Sequence, residues 1–423
     1  MKSYMSFSTV SVIGLGYIGL PTATVLAASG IDVVGVDVNP HAVETINRGE
    51  IHIVEPDLDA LVHQVVNAGR LRAVLAPEAA DAFLIAVPTP FRENHEPDLR
   101  YIESAARSIA PVLKKGDLVI LESTSPVGAT EQMAAWLADS RPDLTFPQQD
   151  GETSDIRVAY CPERVLPGQV LRELVQNDRV IGGMTAACTE RAIELYRSFV
   201  KGECIRTSAR TAEMCKLTEN AFRDVNIAFA NELSMICSQL GIDVWELIRL
   251  ANHHPRVNIL QPGTGVGGHC IAVDPWFIVS KSPEQARLIA AARGVNDGKP
   301  HWVVDKIVEA AARLQQAEAG KRPGDVRIAC LGLAFKPNID DLRESPAIEV
   351  VKQLEQTGYA NIVVVEPNVD SLPAELGAIP LVTLDEAIGS ADLICVLVKH
   401  DQFKSMQLEG SRAVLVDFVG LGT

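Results

Sequence analysis

The sequence has few of the features that mark disulfide-rich, zinc-binding, membrane or nucleic-acid-binding proteins. Its eight cysteines are scattered and no two stand at C-x-x-C spacing, which argues against a disulfide framework or a zinc site. No apolar run reaches the ~18 residues of a membrane span. The chain has no Lys/Arg block and a net charge of −16, so it repels nucleic acid and anionic membranes. These absences predict a cytoplasmic protein that binds no metal, membrane or nucleic acid.

Aromatic residues are also scarce, at 5%, so that Ala, Val, Ile and Leu supply most of the 47% hydrophobic content. That composition suits buried parallel strands covered by helices. Short apolar runs at 9–13, 32–36, 83–87 and 118–122 predict strands, and helical stretches lie between them. The alternation predicts an α/β fold with a doubly wound, mainly parallel sheet in the first half of the chain.

The second half begins with a different pattern. Residues 211–241 contain no proline and no glycine before Gly241, which predicts one long helix. After a Gly/Pro-rich linker at 320–325, the strand and helix pattern resumes as a second, smaller doubly wound domain. We therefore expect an α/β domain at 1–210, a helical domain at 211–319 and a further α/β domain at 320–423.

The segment "VIGLGYIGL" carries a G-x-G-x-x-G pattern between a predicted strand and a predicted helix. Gly14 would permit the tight turn, Gly16 the approach of a pyrophosphate, and Gly19 close packing of helix on strand. Asp37 ends the second predicted strand, 18 residues after Gly19, near the spacing of the acid that binds an adenosine ribose. Because Asp37 would repel a 2′-phosphate, the pattern predicts NAD rather than NADP. The other residues expected at this cofactor are Tyr17, Ile18, Thr89, Thr124 and Thr130.

The long helix carries Lys216, Asn220 and Arg223 at spacings that place them on one face. Two cations and an amide in line could clamp a diphosphate or polarise an oxygen. The alternative is a solvated polar stripe, which is the usual role of Lys and Arg on a helix.

The stretch "GTGVGGHCIAVDP" presents Cys270 directly after a glycine-rich loop. Most lone cysteines of reduced proteins are buried and structural. A thiol on such bare backbone is instead a candidate nucleophile, with Asp274 nearby as a base and His269 expected to point away. A dinucleotide fold together with a nucleophilic thiol suggests hydride transfer from a thiohemiacetal, as in aldehyde oxidation.

These segments, with "AVPTP", "STSPVG", "CPERVLPG" and "GLAFKPNIDDLRESPA", resemble the UDP-glucose/GDP-mannose dehydrogenase family over nearly the full chain. "GGHCIAVDP" is similar to the branch that oxidises N-acetylated sugars, because the UDP-glucose branch typically has Lys before the Asp. The resemblance implies two Rossmann-like domains, of which the one at 1–210 binds NAD and the one at 320–423 binds the UDP-sugar. The helical domain between them carries the Cys270 loop and a long central helix, which usually builds a dimer. The expected partners are therefore a UDP-sugar and a second copy of the chain.

The resemblance further implies a four-electron oxidation of the sugar C6 alcohol to a carboxylate with two NAD⁺. Cys270 would hold the substrate as a thiohemiacetal and then as a thioester. Lys216 would assist proton transfer, and Glu163 and Asp274 would position or activate water. Arg343 would lie near the cofactor. The implied substrate contacts are Arg164, Val165, Lys216, Asn220, Arg223, His254, Arg256, Gly267, Phe335 and Lys336.

We expect the substrate to be UDP-N-acetyl-D-mannosamine, with His254 and Asn258 as candidates for recognising the N-acetyl group. The alternatives are UDP-N-acetylglucosamine or UDP-glucose, a nucleotide-sugar epimerase that recycles NAD, and an NAD-sensing protein without catalysis. The Cys270 loop argues against the last two. One residue departs from the family pattern, since Val419 takes a position that is usually basic, which puts one contact in doubt. The N-terminal "MKSY" has no evident role.

Overall fold

The computed structural model describes residues 7–53, 55–92, 95–166, 168–268, 270–318, 320–359, 361–377, 379–408 and 411–422. The chain divides into two compact units. The first comprises Met1–Glu219 and Trp276–Lys281, and the second comprises Asn220–Pro275 and Ser282–Thr423. The three-domain division drawn from the sequence stays a prediction.

In the first unit, eight described strands form one sheet in the order β3-β2-β1-β4-β5-β6-β7-β8. All neighbours pair in parallel except β6 and β7, which are antiparallel, so the sheet is mainly rather than wholly parallel. The strands are β1 Thr9–Ile13, β2 Asp32–Val36, β3 Leu71–Val74, β4 Ala82–Ile85, β5 Leu118–Leu121, β6 Arg157–Tyr160, β7 Arg179–Gly183 and β8 Cys204–Ser208. Its helices are α1 Gly19–Ala28, α2 Pro40–Asn47, α3 Leu58–Asn67, α4 Arg100–Ile109, α5 Ala129–Ser140, α6 Pro147–Asp150, α7 Val170–Gln176 and α8 Ala186–Tyr196.

The central strands of this sheet are buried on both faces, as the apolar sequences of β4 and β5 predict. Successive residues of a strand point to opposite faces. In β4, Leu84 belongs to one apolar core, while Phe83 and Ile85 belong to another. The predicted doubly wound fold is therefore confirmed. The structure also adds β3, β6, β7 and β8, which the sequence analysis did not identify.

In the second unit, four strands form a wholly parallel sheet in the order β10-β9-β11-β12. They are β9 Ile328–Leu331, β10 Ile362–Val365, β11 Leu393–Val396 and β12 Val414–Asp417. The helices that follow the first eight are α9 Ala209–Leu240, α10 Val244–Ala251, α11 Asp274–Lys281, α12 Arg287–Ala317, α13 Pro346–Glu355 and α14 Leu384–Ser390. The predicted long helix is thus α9, and the second α/β fold is confirmed.

Within the second unit, α9 and α12 are joined by buried polar contacts. Arg293 pairs with Asp224 at 2.6 Å, and Asn231 donates to Asn296 at 2.9 Å. The ammonium of Lys299 is also buried, where it donates to the Ser234 hydroxyl at 2.5 Å. Burial lowers the pKa of Lys299 to about 7. These contacts fix the register of α9 against α12.

Candidate active site

The glycine loop that follows β1 has two positions at which only glycine fits. Gly14 adopts a φ of +90°, and a Cβ there would lie 2.5 Å from the carbonyl oxygen of Ala86. A Cβ at Gly19 would lie 1.7 Å from the carbonyl oxygen of Gly14. The loop therefore turns sharply and lets the first residue of α1 pack against the end of β1.

Gly16 has a different environment, because a Cβ there would meet no heavy atom within 4 Å. Gly16 and Tyr17 are exposed, Ile18 is half-buried, and α1 begins directly after them. An exposed glycine before a helix N-terminus leaves room for an anionic group to approach the backbone. Packing within the protein does not require glycine at this position.

Asp37 closes this loop from the end of β2. Its two carboxylate oxygens accept from the backbone N–H groups of Leu15 and Asn39, each at 2.9 Å. A carboxylate oxygen has two lone-pair directions, so both oxygens keep the capacity to accept from a ribose hydroxyl. The loop and the acid, which were predicted to share one site, are in direct contact.

The three predicted threonines lie after β4 and β5 and at the start of α5. The Thr89 hydroxyl donates to the Thr124 carbonyl at 2.5 Å. This hydrogen bond joins the turn that follows β4 to the turn that follows β5. The Thr130 hydroxyl is buried and donates to the Glu213 carboxylate at 2.6 Å. Thr130 therefore supports the turn through its side chain, while Thr124 is half-buried at its surface.

Glu213 is a residue whose role the sequence analysis missed. Its buried carboxylate also accepts the backbone N–H groups of Gly128, at 2.7 Å, and Thr130, at 2.8 Å. Burial raises the pKa of Glu213, although these hydrogen bonds oppose the shift. The carboxylate thus ties α9 to the turn that carries Thr124. In the sequence, nothing distinguishes Glu213 from a solvent-facing carboxylate on the same helix.

Glu163 follows β6 and is buried, with backbone N–H groups of Val165 and Arg164 directed at its carboxyl group. Burial raises the pKa of Glu163, while the charges of Arg179 and Lys216 oppose that rise. The structure therefore brings Glu163 and Lys216 into one electrostatic environment. The guanidinium of Arg164 is instead paired with Glu219 at 2.7 Å.

A buried charged cluster beside Glu163 was not predicted. The Arg179 side chain lies over the Tyr196 ring, and the Tyr196 hydroxyl donates to Glu122 at 2.5 Å. Burial raises the pKa of Glu122 to about 7, the charge of Arg179 opposes the rise, and Glu163 adds to it. Arg179 thus provides the buried positive charge that the two acidic side chains share.

In the second unit, the loop before Cys270 packs against the segment around Phe335. A Cβ at Gly267 would lie 2.2 Å from the carbonyl oxygen of Glu344, and one at Gly268 would lie 2.8 Å from the Phe335 ring. Gly268 also adopts a φ of +81°. Close approach to Glu344 explains Gly267, and close approach to Phe335 explains Gly268, so Phe335 packs directly against the backbone that precedes Cys270.

The Cys270 side chain is exposed, unlike the six buried cysteines of the chain. The Cys270 carbonyl accepts the N–H of Asp274 at 2.8 Å, which places the thiol one turn before α11. His269 lies outside the described residues, as does the N-terminal "MKSY" segment. The structural alternative of a buried Cys270 is therefore wrong.

The Asp274 carboxylate is buried and accepts a hydrogen bond from the Asn220 amide of α9. This contact joins two of the predicted site residues and links the cysteine loop to the long helix. Arg223 lies on the same helix and is exposed. Of the polar residues predicted on one face of α9, Asn220 is therefore not part of a solvated stripe, because it bonds to a buried carboxylate.

The remaining predicted residues lie on exposed or half-exposed loops of the second unit. His254 accepts the backbone N–H of Arg256 at 3.3 Å, and both side chains are exposed. Lys336 is half-buried beside Phe335. Arg343 is paired with Asp341 at 2.6 Å.

Val419, which stands at a usually basic position, lies in a turn after β12. Asp417 accepts the N–H of Val419 at 2.9 Å and that of Leu421 at 2.5 Å. The Lys399 ammonium donates to the carbonyl of Gly420. Asp417 thus shapes the turn from the backbone side, whatever side chain stands at Val419.

Models of the UDP-glucose/GDP-mannose dehydrogenase family match this chain as an NAD binding domain at residues 8–200, a central domain at 210–298 and a UDP binding domain at 329–421. The chain belongs to this family of NAD-dependent nucleotide-sugar dehydrogenases, and its cofactor is NAD.

Among individual relatives, a UDP-N-acetyl-D-mannosamine dehydrogenase of Yersinia pestis is 67% identical over 406 residues, covering 96% of both chains. An NDP-N-acetyl-D-galactosaminuronic acid dehydrogenase of Ralstonia nicotianae is 63% identical over 418 residues, covering 99% of this chain and 97% of that one. A solved UDP-D-ManNAc dehydrogenase of Pyrococcus horikoshii is 39% identical, covers 98% of this chain and 96% of its own, and superposes with a TM-score of 0.87.

Proposed function

We propose that this protein oxidises C6 of UDP-N-acetyl-D-mannosamine to the carboxylate, through a substrate bound covalently to Cys270. The observation that carries the proposal is the exposed Cys270 side chain, which follows a loop where close packing requires glycine at Gly267 and Gly268. A buried structural cysteine would need neither exposure nor such a loop. The relatives named for this reaction, at 67% identity, support the same assignment.

The residues of the first unit fit an NAD molecule. The open position at Gly16 admits a pyrophosphate to the start of α1, and Asp37 retains acceptor capacity for the adenosine ribose. Bound NAD⁺ supplies the hydride acceptor for each of the two oxidations. Asp37 also places a negative charge where a 2′-phosphate would stand, which selects NAD⁺ over NADP⁺.

The side chains of this protein perform the proton transfers and the covalent step. The Lys216 ammonium stabilises the oxyanion that develops on the substrate oxygen. The Cys270 thiolate adds to the aldehyde carbonyl, and the sulfur retains the acyl group until water displaces it. Glu163, whose pKa is raised by burial, takes the proton from that water. One alcohol, one water and two NAD⁺ give one carboxylate, two NADH and three protons.

Asp274 is assigned the same task of positioning water, and its bond to Asn220 fixes its carboxylate. The substrate contacts proposed from the family pattern are Arg164, Val165, Asn220, Arg223, His254, Arg256, Gly267, Phe335 and Lys336. Arg343 is assigned to the cofactor. Because the whole chain carries a charge of −16, these local cations must offset the long-range repulsion of a nucleotide sugar.

A second candidate substrate has a specific observation in its favour. The Ralstonia relative, at 63% identity, is named for an N-acetyl-D-galactosaminuronic acid, so another N-acetylated sugar is the main competitor. UDP-N-acetylglucosamine and UDP-glucose complete the set. A plain sugar would leave groups that recognise the acetamide unpaired, which penalises UDP-glucose more than a changed ring hydroxyl would.

The test is a panel of these UDP-sugars assayed with NAD⁺, counting NADH formed per sugar consumed. We expect two NADH per sugar and the highest kcat/KM with UDP-N-acetyl-D-mannosamine. An epimerase or an NAD sensor would form none. Cys270→Ser should abolish the acid product, because a hydroxyl is far less ionised than a thiol near neutral pH. Full acid production by this variant would exclude the covalent route.

The chain is further proposed to form a homodimer through α9. Phe222, Phe229 and Ile236 recur every seven residues on this helix and are 70%, 52% and 43% exposed. A seven-residue apolar stripe suits packing against a second helix. Light scattering should give a dimer mass, and Phe229→Asp should lower it toward the monomer. Leu288→Asp, on an equally exposed leucine of α12, should leave the mass unchanged.

A further inference from the structure

The second sheet carries a buried acid–imidazole pair that none of the proposed reaction steps uses. Glu366 follows β10 and His400 follows β11, and both side chains are fully buried. The His400 Nε2 atom lies 3.0 Å from a Glu366 carboxylate oxygen. A buried pair of this kind is costly to desolvate, so its retention calls for a function.

The hydrogen bonds determine which nitrogen of His400 carries the hydrogen. Its Nδ1 accepts the backbone N–H of Asn338 at 2.9 Å, and the Asn368 amide approaches the same nitrogen at 3.1 Å. Nδ1 is therefore an acceptor, and Nε2 donates to Glu366. Burial opposes ionisation of Glu366, yet the bonds from His400 and from backbone N–H groups hold its pKa below its usual range.

This pair fastens the loop that carries Phe335 and Lys336 from both sides. Ahead of them, the Glu366 carboxylate accepts the N–H of Leu333 at 2.7 Å and that of Ala334 at 3.0 Å. Behind them, His400 accepts the N–H of Asn338. The polypeptide between these anchors is too short to move far while both anchors hold.

The same loop supports the backbone that precedes the Cys270 thiol. The Phe335 ring stands so close to Gly268 that an added Cβ would lie 2.8 Å from it. The Cβ of Phe335 would lie 3.1 Å from a Cβ added at Gly267. Any displacement of Phe335 is therefore transmitted to the backbone two residues before Cys270.

Comparison of the two sheets shows that Glu366 is not another ribose-binding acid. Asp37 and Glu366 both end the strand that lies beside the first strand of their unit, and both accept the N–H of the leucine that follows the loop glycine. Asp37 remains half-exposed, whereas the pairing with His400 buries Glu366. In the second unit the equivalent acid faces the interior, where it braces the loop.

We propose that Glu366 and His400 are positioning residues that hold Phe335 and Lys336 in place to receive the nucleotide sugar and, through Phe335, set the position of the Cys270 loop. The assignment rests on the proposed function for the role of Lys336 and Cys270. The bracing itself is a property of the loop. It can be measured without turnover.

The experiment uses the full-length protein and compares Glu366→Gln with Glu386→Gln. Glu386 is the matched control, because it also accepts a backbone N–H, that of Thr383 at 2.9 Å, but caps α14. Three quantities are measured: the Kd for UDP by calorimetry, the Kd for NAD⁺, and the rate at which iodoacetamide modifies Cys270, followed by peptide mass spectrometry.

For Glu366→Gln we expect about a tenfold weaker UDP affinity and a several-fold change in the Cys270 modification rate, with NAD⁺ affinity unchanged. Glu386→Gln should match the original protein in all three. His400→Gln retains an N–H donor toward Glu366 but loses the acceptor for Asn338, so it should give an intermediate effect. It also decides the question by the same measurements if Glu366→Gln does not fold.

Unchanged UDP affinity and Cys270 modification in a folded Glu366→Gln or His400→Gln would overturn the proposal. An equal effect of Glu386→Gln would do so too, since it would show general destabilisation. Failure of the proposed function has a separate signature: no sugar acid is formed and UDP does not bind the original protein. The rate of Cys270 modification still tests the bracing in that event.

Discussion

Alanine at two glycines of the same loop, three residues apart, should affect different properties. At Gly16 it should lower NAD⁺ affinity, and at Gly19 it should lower the free energy of unfolding. A Cβ at Gly16 meets no heavy atom within 4 Å, whereas a Cβ at Gly19 would stand 1.7 Å from the Gly14 carbonyl oxygen. The space beside Gly16 is open to a cofactor. The space beside Gly19 is filled by the protein's own backbone.

For Gly16→Ala, the free energy of unfolding should stay within about 1 kcal/mol of the original value, because Gly16 does not have a positive φ and the unfolded chain loses some freedom. NAD⁺ affinity should fall, since the methyl group enters the pyrophosphate space. Overpacking costs of about 1–3 kcal/mol correspond to roughly 5- to 150-fold in Kd.

For Gly19→Ala, the added methyl group would clash with the carbonyl oxygen and carbon of Gly14. Because both are backbone atoms that cannot rotate away, α1 must shift away from the loop. We expect a loss of at least about 3 kcal/mol in the free energy of unfolding. Weaker NAD⁺ binding would follow as a consequence of the damaged fold. The two variants thus separate a functional from a structural requirement for glycine.

Thermal unfolding and NAD⁺ calorimetry on both variants test this reasoning. Gly294→Ala serves as the control, because Gly294 lies inside α12 and its added Cβ meets nothing within 4 Å. It should keep NAD⁺ affinity unchanged. Undiminished NAD⁺ affinity in Gly16→Ala, or undiminished stability in Gly19→Ala, would refute the argument.

Three further predictions concern charged groups. Burial lowers the pKa of Lys299 from 10.5 to about 7. Between these two pH values the unfolded chain binds more protons than the folded protein does. The free energy of unfolding should therefore rise with pH there, by up to about 1.4 kcal/mol per pH unit. Lys299→Met should flatten this rise in Tm between about pH 7.5 and 9.5, whereas Lys306→Met, at a more exposed lysine, should not. Asp37→Ala should narrow the preference for NAD⁺ over NADP⁺ in kcat/KM, and equal use of both by the unchanged protein would contradict the assignment. Lys216→Ala should lower kcat more than it raises KM, and a change in KM alone would identify Lys216 as a phosphate clamp.

The features that the sequence determined by itself depend on neighbouring residues. The turn at Gly14 was predicted because it requires a positive φ. The strands β1 and β2 were predicted with their correct bounds because both are short and rich in valine. The exposure of Cys270 was predicted in the same way, because four glycines in the six residues 263–268 indicate a backbone conformation or a close approach that other residues do not allow. The glycine pattern and Asp37 predicted NAD as the cofactor, which the comparisons confirm.

Other features were decided only by the tertiary structure, because they join groups far apart in the chain. Glu213 reaches the backbone of Thr130 across 83 positions, and Glu366 reaches His400 across 34. The antiparallel pairing of β7 with β6 is likewise a tertiary feature, because the sequence of a strand does not show which neighbour it pairs with or in which direction. A carboxylate in a helix or after a strand looks the same in sequence whether it faces water or a buried partner, and burial then determines its charge and its function.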